Sequence, residues 1–327
     1  TTVGLDRLDR STDTFVHHQQ ALAGSDIPTG IWVSVIYQDL LGTLWVGTEG
    51  SGLIALDLRT DQFKVYKHSS DDPKTLSDDT IHSVYEDREG VLWIGTDRGL
   101  DRLDPMSGTF VHGLQDPSGL HTIRDMPVYA INGDNQGALW IGTHEGLYQW
   151  NRTEDQFTEY RHDPDVPDGI SFDSIRCIFR DSQGTLWIGT RRGLSQFDGT
   201  QKRFISHVHN PNDPQSLISD SIRSVYEDRS GVIWIGTAAG GLSKYAPATQ
   251  KFALYQHNPG LSNSLSDDNI WSIYEDHNGM LWIGMFSAGL NKLDRQSGIV
   301  TVYRNNPRES ASLSNDAIRT IMEDRNG

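Results

Sequence analysis

The side chains of this 327-residue sequence that could bind or transform a ligand stand at two kinds of position, those that repeat and those that do not. Among the repeating ones, His68, His162, His209 and His257 each follow a phenylalanine by five residues, after Phe63, Phe157, Phe204 and Phe252. Seven aspartates, Asp39, Asp87, Asp134, Asp181, Asp228, Asp276 and Asp324, each open an Asp-x-x-Gly turn. A metal needs its ligands in one coordination sphere, and a hydrolytic carboxylate pair has to flank one bond. Copies separated by a whole repeat do neither, so no metal, cofactor or catalytic pair is expected from them. The aspartates read as turn formers.

The informative residues are those that break the repeat. One position carries Ser34, His82, Tyr129, Arg176, Arg223, Trp271 and Arg319 in successive units. A short hairpin further on reads Thr2-Val3, Glu49-Gly50-Ser51, Asp97-Arg98, His144-Glu145, Arg191-Arg192, Ala238-Ala239-Gly240 and Phe286-Ser287-Ala288. Arginine forks match carboxylate or sulfate, and aromatic faces stack on sugar rings or apolar ligand planes. His82, Tyr129, Arg176, Arg191, Arg192, Arg223, Trp271, Phe286 and Arg319 are therefore the candidate ligand-binding residues. The competing expectation is that the arginines only pair with acids such as Asp220, Asp267, Asp268 and Asp316.

The element that must position these residues is Leu-Trp-Ile-Gly-Thr at Leu92 to Thr96, which recurs with small changes at Trp45, Trp140, Trp187, Trp234 and Trp282. A period of 47 or 48 residues with strand-like content and turn glycines is the signature of a propeller-type array. Around residues 80 to 114 each unit reads as four strands: A from Ile81 to Asp87, B from Val91 to Thr96, C from Leu100 to Asp104, and D from Thr109 to about His112. The Asp-x-x-Gly turn and the Gly-Leu that opens strand C occur seven times, whereas Leu-Trp occurs six times. The expectation is one all-β domain over 1–327, a seven-bladed β-propeller of four-stranded antiparallel blades. Its seventh blade would be shared between residues 4 to 18 and 318 to 324, with the second strand missing from a chain excised from a larger protein. The variable position is the second residue of strand A, the innermost strand, and the variable hairpin joins B to C on the same rim.

In strand B, Leu92 and Ile94 face one neighbouring blade and Trp93 and Gly95 the other, the Trp as apolar bulk and the Gly as clearance. Cys177 stands where other units carry Val35, Ser83, Ala130, Ser224, Ser272 and Thr320, and reads as a packed small side chain. A net charge of -16 argues against nucleic acid and anionic membrane surfaces as partners. No apolar run approaches the ~20 residues of a membrane span. Glu86, Glu227, Glu275 and Glu323, beside the turn aspartates, suggest a negative opposite face, either solvated or docking a basic partner.

The run Ile222-Arg-Ser-Val-Tyr-Glu-Asp-Arg-Ser-Gly-Val-Ile-Trp-Ile-Gly-Thr-Ala-Ala-Gly-Gly-Leu-Ser-Lys-Tyr245 resembles the two-component regulator propeller repeat. The resemblance implies a periplasmic or extracytoplasmic sensor propeller of a membrane-bound, often hybrid, histidine kinase, many of which report on oligosaccharides. It implies an input module for a carbohydrate or other polar or anionic ligand, with protein contacts or dimerisation through a parent protein, and no catalysis. Sialidase Asp-boxes and streptogramin lyase propellers are similar in outline but differ in turn spacing and in the Trp-Ile-Gly-Thr core. The alternatives are a protein-interaction scaffold and a propeller lyase or glycosidase, for which His82, Tyr129, His144 and Glu145 are the available groups.

Overall fold

A computed structural model describes residues 1, 4–18, 31–60, 62–104, 106–114, 123, 125–247, 249 and 251–325. Thr2-Val3 and the turn glycine Gly327, included in the expectations above, lie outside these residues. The chain opens with a hairpin of β1 (Asp6–Asp9) and β2 (Thr14–His17). Blade 1 follows as β3 (Val33–Gln38), β4 (Thr43–Thr48), β5 (Leu53–Asp57) and β6 (Gln62–Tyr66), and blade 2 as β7 (Ile81–Glu86), β8 (Leu92–Thr96), β9 (Gly99–Asp104) and β10 (Thr109–His112). Blade 3 comprises β11 (Val128–Gly133), β12 (Leu139–Thr143), β13 (Leu147–Asn151) and β14 (Gln156–Tyr160). Blade 4 comprises β15 (Ile175–Arg180), β16 (Leu186–Thr190), β17 (Gly193–Asp198) and β18 (Arg203–His207). Blade 5 is β19 (Ile222–Glu227), β20 (Ile233–Thr237), β21 (Leu242–Ala246) and β22 (Lys251–Tyr255). Blade 6 is β23 (Ile270–Glu275), β24 (Leu281–Met285), β25 (Leu290–Leu293) and β26 (Val300–Tyr303). Each blade is a four-stranded antiparallel sheet in sequence order, and consecutive first strands, from β3 to β23, pack side by side.

The repeated motif builds the contacts between blades. The turn aspartate takes the backbone N–H four residues on and the indole N–H of the Trp six residues on, as in Val91 N to Asp87 Oδ1 at 2.9 Å and Trp93 Nε1 to Asp87 Oδ2 at 2.9 Å. The same indole bond recurs at Trp45, Trp140, Trp187, Trp234 and Trp282, so the core Trp also locks its own hairpin. Strand B glycines receive the first residue of the next blade. A Cβ on Gly236 would lie 2.6 Å from Ile270 Cγ2, and one on Gly95 would lie 2.5 Å from the Val128 carbonyl. The expected role of Gly as clearance holds, and the clearance is for the neighbouring strand A.

The expected seventh blade is not formed as a four-stranded sheet. β1 and β2 stand as a two-stranded sheet, and residues 318–324 adopt no strand, because no Leu-Trp strand lies between them to complete the ladder. The described residues therefore show six blades and a hairpin. The acids of the opposite face do more than solvate it. Glu86, Glu227, Glu275 and Glu323 each accept the backbone N–H after the turn aspartate of the preceding blade, from Leu40, Ser182, Arg229 and His277 respectively, and Glu275 is buried. Arginines add to this. Arg152 donates to Asp87 at 2.9 Å, and Arg295 reaches both Asp228 and Glu275. Burial opposes the charge on Asp228, but hydrogen bonds from Ser230, Trp234 and Val232 together with Arg295 outweigh it and hold the carboxyl below its usual value. These acids are inter-blade staples.

Candidate functional site

The variable position of strand A is a β-bulge. In blade 2, Ile81 pairs with Thr96 and Ser83 with Gly95, so His82 is an extra residue with no partner across the ladder. The same shift isolates Ser34, Tyr129, Arg176, Arg223 and Trp271. A bulge re-aims a side chain that regular pleating would bury in a sheet face. The B-to-C hairpin is docked beside it, since Arg191 N donates to Ser174 O at 3.2 Å and Phe286 N to Asn269 O at 3.0 Å. Both variable features thus meet at one rim.

The rim is a nearly continuous belt. His82 Nε2 is 2.6 Å from Asp97 Oδ1, and its ring lies 4.8 Å from that of Tyr129. The Arg176 guanidinium stands 5.4 Å from the Tyr129 ring centre. Tyr129, Arg176 and Arg191 line a cleft of about 340 Å³ with Pro127, His144 and Ser174. Arg223 continues the belt. Farther round, Trp271 meets Phe286 edge-on at 4.8 Å, and Arg319 lies over Trp271 at 4.5 Å and over Trp32 at 5.8 Å. Trp32 and Phe286 are 49% and 44% exposed, which leaves an open aromatic shelf. Arg192 is held elsewhere, 4.7 Å over Phe172, and does not line the cleft.

The arginines of the belt differ in their pairing. Among the described residues, Arg176, Arg191 and Arg223 make no ion pair, whereas Arg319 is paired with Glu49. Burial, then Arg191 and Arg223, lowers the pKa of Arg176; burial, then Arg191 and Arg319, lowers that of Arg223. The Nε atoms of Arg223 and Arg319 and the Trp271 indole nitrogen are buried without a hydrogen-bond partner. The acids that were the alternative partners are committed elsewhere. Asp220, Asp268 and Asp316 accept the backbone N–H of His209, His257 and Asn305 at 2.6 to 2.7 Å, and Asp267 accepts that of Asp268. Those acids hold the loops that lead into strand A. The repeated histidines belong to the same loops, each with Nδ1 on a carbonyl, as His209 on Leu217 at 2.7 Å.

Sequence reasoning assembled these residues but missed Trp32, which precedes the strand. The available signal was that it is one of three tryptophans outside the Leu-Trp motif, with Trp150 and Trp271.

The family model for the two-component regulator propeller matches residues 75–98, 122–145, 169–192, 216–239 and 264–287. Five successive repeats of the chain match this family. Each matched segment runs from the loop before strand A to the B-to-C hairpin, and so contains both sources of the rim. Among solved structures, the extracellular domain of the hybrid two-component system BT3049 from B. thetaiotaomicron is similar at a TM-score of 0.74 and 23% identity, over 89% of this chain and 37% of that one. PorZ of Porphyromonas gingivalis, a surface component of its type-IX secretion system, is similar at a TM-score of 0.60 and 17% identity, over 85% of this chain and 41% of that one. Virginiamycin B lyase from Staphylococcus aureus is similar at a TM-score of 0.61 and 12% identity, over 84% of each chain. At these identities the likeness concerns the fold. The chain spans less than half the length of the BT3049 and PorZ structures it matches. No curated protein sequence matches the chain. Among the described residues, no helix is long and apolar enough to cross a membrane.

Proposed function

We propose that the chain is an extracytoplasmic sensor propeller of a two-component signalling protein whose rim binds an anionic ligand, such as an acidic oligosaccharide, without turning it over. The observation that carries this reading is the grouping of Arg176, Arg191 and Arg223 with no carboxylate partner in a protein of net charge -16. Holding like charges together, with Arg176 and Arg223 half-buried, costs stability that a bound carboxylate or sulfate recovers. The Trp32, Trp271 and Phe286 shelf supplies ring faces for the remainder of such a ligand. Guanidinium ions do not exchange protons near neutral pH, so these groups suit binding rather than acid–base chemistry. Calorimetry with a sulfated uronic-acid disaccharide tests the reading, and a turnover assay on the same sugar tests its non-catalytic part. Binding is expected in the parent and lost in the Arg176→Ala/Arg223→Ala variant, and unchanged binding in that variant refutes the site.

We also propose that the β1–β2 hairpin and residues 318–324 occupy a seventh blade position. Support comes from contacts that copy those of complete blades. Thr1 Oγ1 donates to Gly4 O and meets Ser314 Oγ, both at 2.9 Å, as Thr96 Oγ1 does with Gly99 O and Ser77 Oγ at 3.1 and 2.8 Å. Glu323 accepts from His277 N, Arg325 N donates to Gln38 Oε1, and Arg10 reaches Asp276, so the staples continue across this position. Five residues separate Gly90 from Thr96. Joining Gly327 to Thr1 through Val-Leu-Trp-Ile-Gly, with new ends elsewhere, is therefore expected to raise Tm, and an unchanged or lower Tm refutes the proposal.

A further inference from the structure

Strand C carries a second repeat-breaking position, the residue after Gly-Leu: Asp6, Ile54, Asp101, Tyr148, Ser195, Ser243 and Asn291. Where this residue is polar and short, one of its oxygens accepts a backbone N–H from the loop before strand A. Ser171 N donates to Ser195 Oγ at 2.9 Å, Ser266 N to Asn291 Oδ1 at 2.8 Å, Ser314 N to Asp6 Oδ2 at 2.9 Å, and Ser77 N to Asp101 Oδ2 at 2.8 Å. One acceptor satisfies that role, so the second atom of an Asp or Asn needs its own partner. Asn291 Nδ2 donates to Ser266 Oγ at 2.6 Å, and Asp6 Oδ1 is 2.7 Å from His17 Nδ1. Asp101 differs: it is fully buried and its Oδ1 has no hydrogen-bond partner.

The place it lines explains what could meet that oxygen. Asp101 borders a cavity of about 240 Å³ together with His68, Arg98, Leu100, His112, Ile123 and Asp125, and His112 stands opposite it in the ladder of β9 and β10. His68 Nδ1 is engaged by the Leu76 carbonyl at 2.7 Å, which makes Nε2 an acceptor in the neutral ring. The wall thus offers Asp125 and His68 Nε2 as acceptors, with Asp101 Oδ1 buried just beneath it, Leu100 and Ile123 as apolar surface, and Arg98 as a cation. A buried carboxylate oxygen without a donor is costly, and a charged donor brought by a ligand removes the cost. Burial pushes the Asp101 carboxyl up, against the Ser77 backbone N–H, His112 and His68.

We propose that this cavity, separate from the arginine rim, binds a small molecule through a protonated amino group placed on Asp101 Oδ1, with its carbon skeleton on Leu100 and Ile123. Arg98 then suits a carboxylate or hydroxyl on the same molecule. The amine can come from an amino acid, an amino sugar or an amino alcohol, and the room available holds any of the three. Calorimetry on the whole chain with alanine, glucosamine and ethanolamine, each beside its N-acetyl counterpart, tests the proposal and distinguishes the sources. Binding of at least one free amine is expected, weakened by about tenfold or more on N-acetylation and by Asp101→Asn. Asn at this position is compatible with the fold, since Asn291 holds the equivalent loop of blade 6. Asp101→Ser is a second variant, since Ser195 holds the equivalent loop of blade 4. The Arg176→Ala/Arg223→Ala variant is expected to bind the amine as the parent does, which separates this site from the rim. No binding of any free amine, equal binding of the N-acetyl forms, or undiminished binding by well-folded Asp101→Asn and Asp101→Ser overturns the proposal.

Discussion

Gly236→Ala separates two explanations of the strand B glycine. If the residue stood there without a packing reason, Ala would stabilise the strand by about 0.5–1 kcal/mol, because Gly loses more backbone freedom on folding. The structure predicts the opposite sign. The added Cβ would lie 2.6 Å from Ile270 Cγ2 and 3.2 Å from Ile270 Cβ, where carbon atoms ordinarily stand about 3.5–4.0 Å apart. It would also meet Ser224 Oγ at 2.5 Å, but that hydroxyl has no hydrogen-bond partner and can rotate away cheaply. Ile270 is fully buried in the next blade and paired to Met285, so it cannot withdraw. Overpacking of this kind costs about 1–3 kcal/mol. Ile270→Ala alone costs about 2–5 kcal/mol through lost burial and a cavity, yet it removes the Cγ2 that obstructs the new methyl. In that background Gly236→Ala should cost about 1 kcal/mol or less, so the double variant is more stable than the sum of the single ones by about 1–2 kcal/mol. Urea unfolding of the four proteins measures this. Stabilisation by Gly236→Ala, or additive effects, would refute the account of blade packing.

Other outcomes follow from the same contacts. Glu275→Ala breaks a buried network with Arg229 N and Arg295 and should cost about 3–5 kcal/mol in urea unfolding, far more than a surface glutamate. The raised pKa of Asp101 means that its carboxylate destabilises the fold above the unfolded carboxylate range and that this cost vanishes below it. Asp101→Asn should accordingly stabilise by about 1–3 kcal/mol at pH 8 and have little effect near pH 3, read as a stability difference across pH. Burial pushes the Cys177 thiol up to about 12, so although the side chain is part-exposed, labelling by a thiol reagent at pH 8 should be far slower than that of a free cysteine and should quicken as pH rises.

Much of the fold is written in spacing that survives inspection of one sequence. The Trp period and the flanking turns locate six blades, and the turns bound strand D where the structure has it, Thr109–His112. A seventh four-stranded sheet does not follow from the sequence, because the turn and Gly-Leu counts reveal repeats, whereas a sheet needs the strand between them. The glutamates mislead because the alternation that marks an apolar core says nothing about a backbone N–H on the neighbouring blade, and Glu86 looks like surface until Leu40 is beside it. The candidate rim is legible as variation at one position, but the bulge that turns Arg176 and Arg223 out of the sheet is a matter of register. The commitment of Asp220 and Asp268 to loop N–H groups is likewise invisible in sequence, and it leaves the arginines without partners.

Selenate, a sulfate analogue with a strong anomalous signal, tests the rim most directly when soaked into crystals of the protein at moderate salt. The account predicts an anomalous peak within hydrogen-bond reach of the guanidinium groups of Arg176, Arg191 and Arg223, lost when Arg176 and Arg223 are replaced by Ala. Peaks only at other surface arginines, or a rim peak that survives the double substitution, would contradict it.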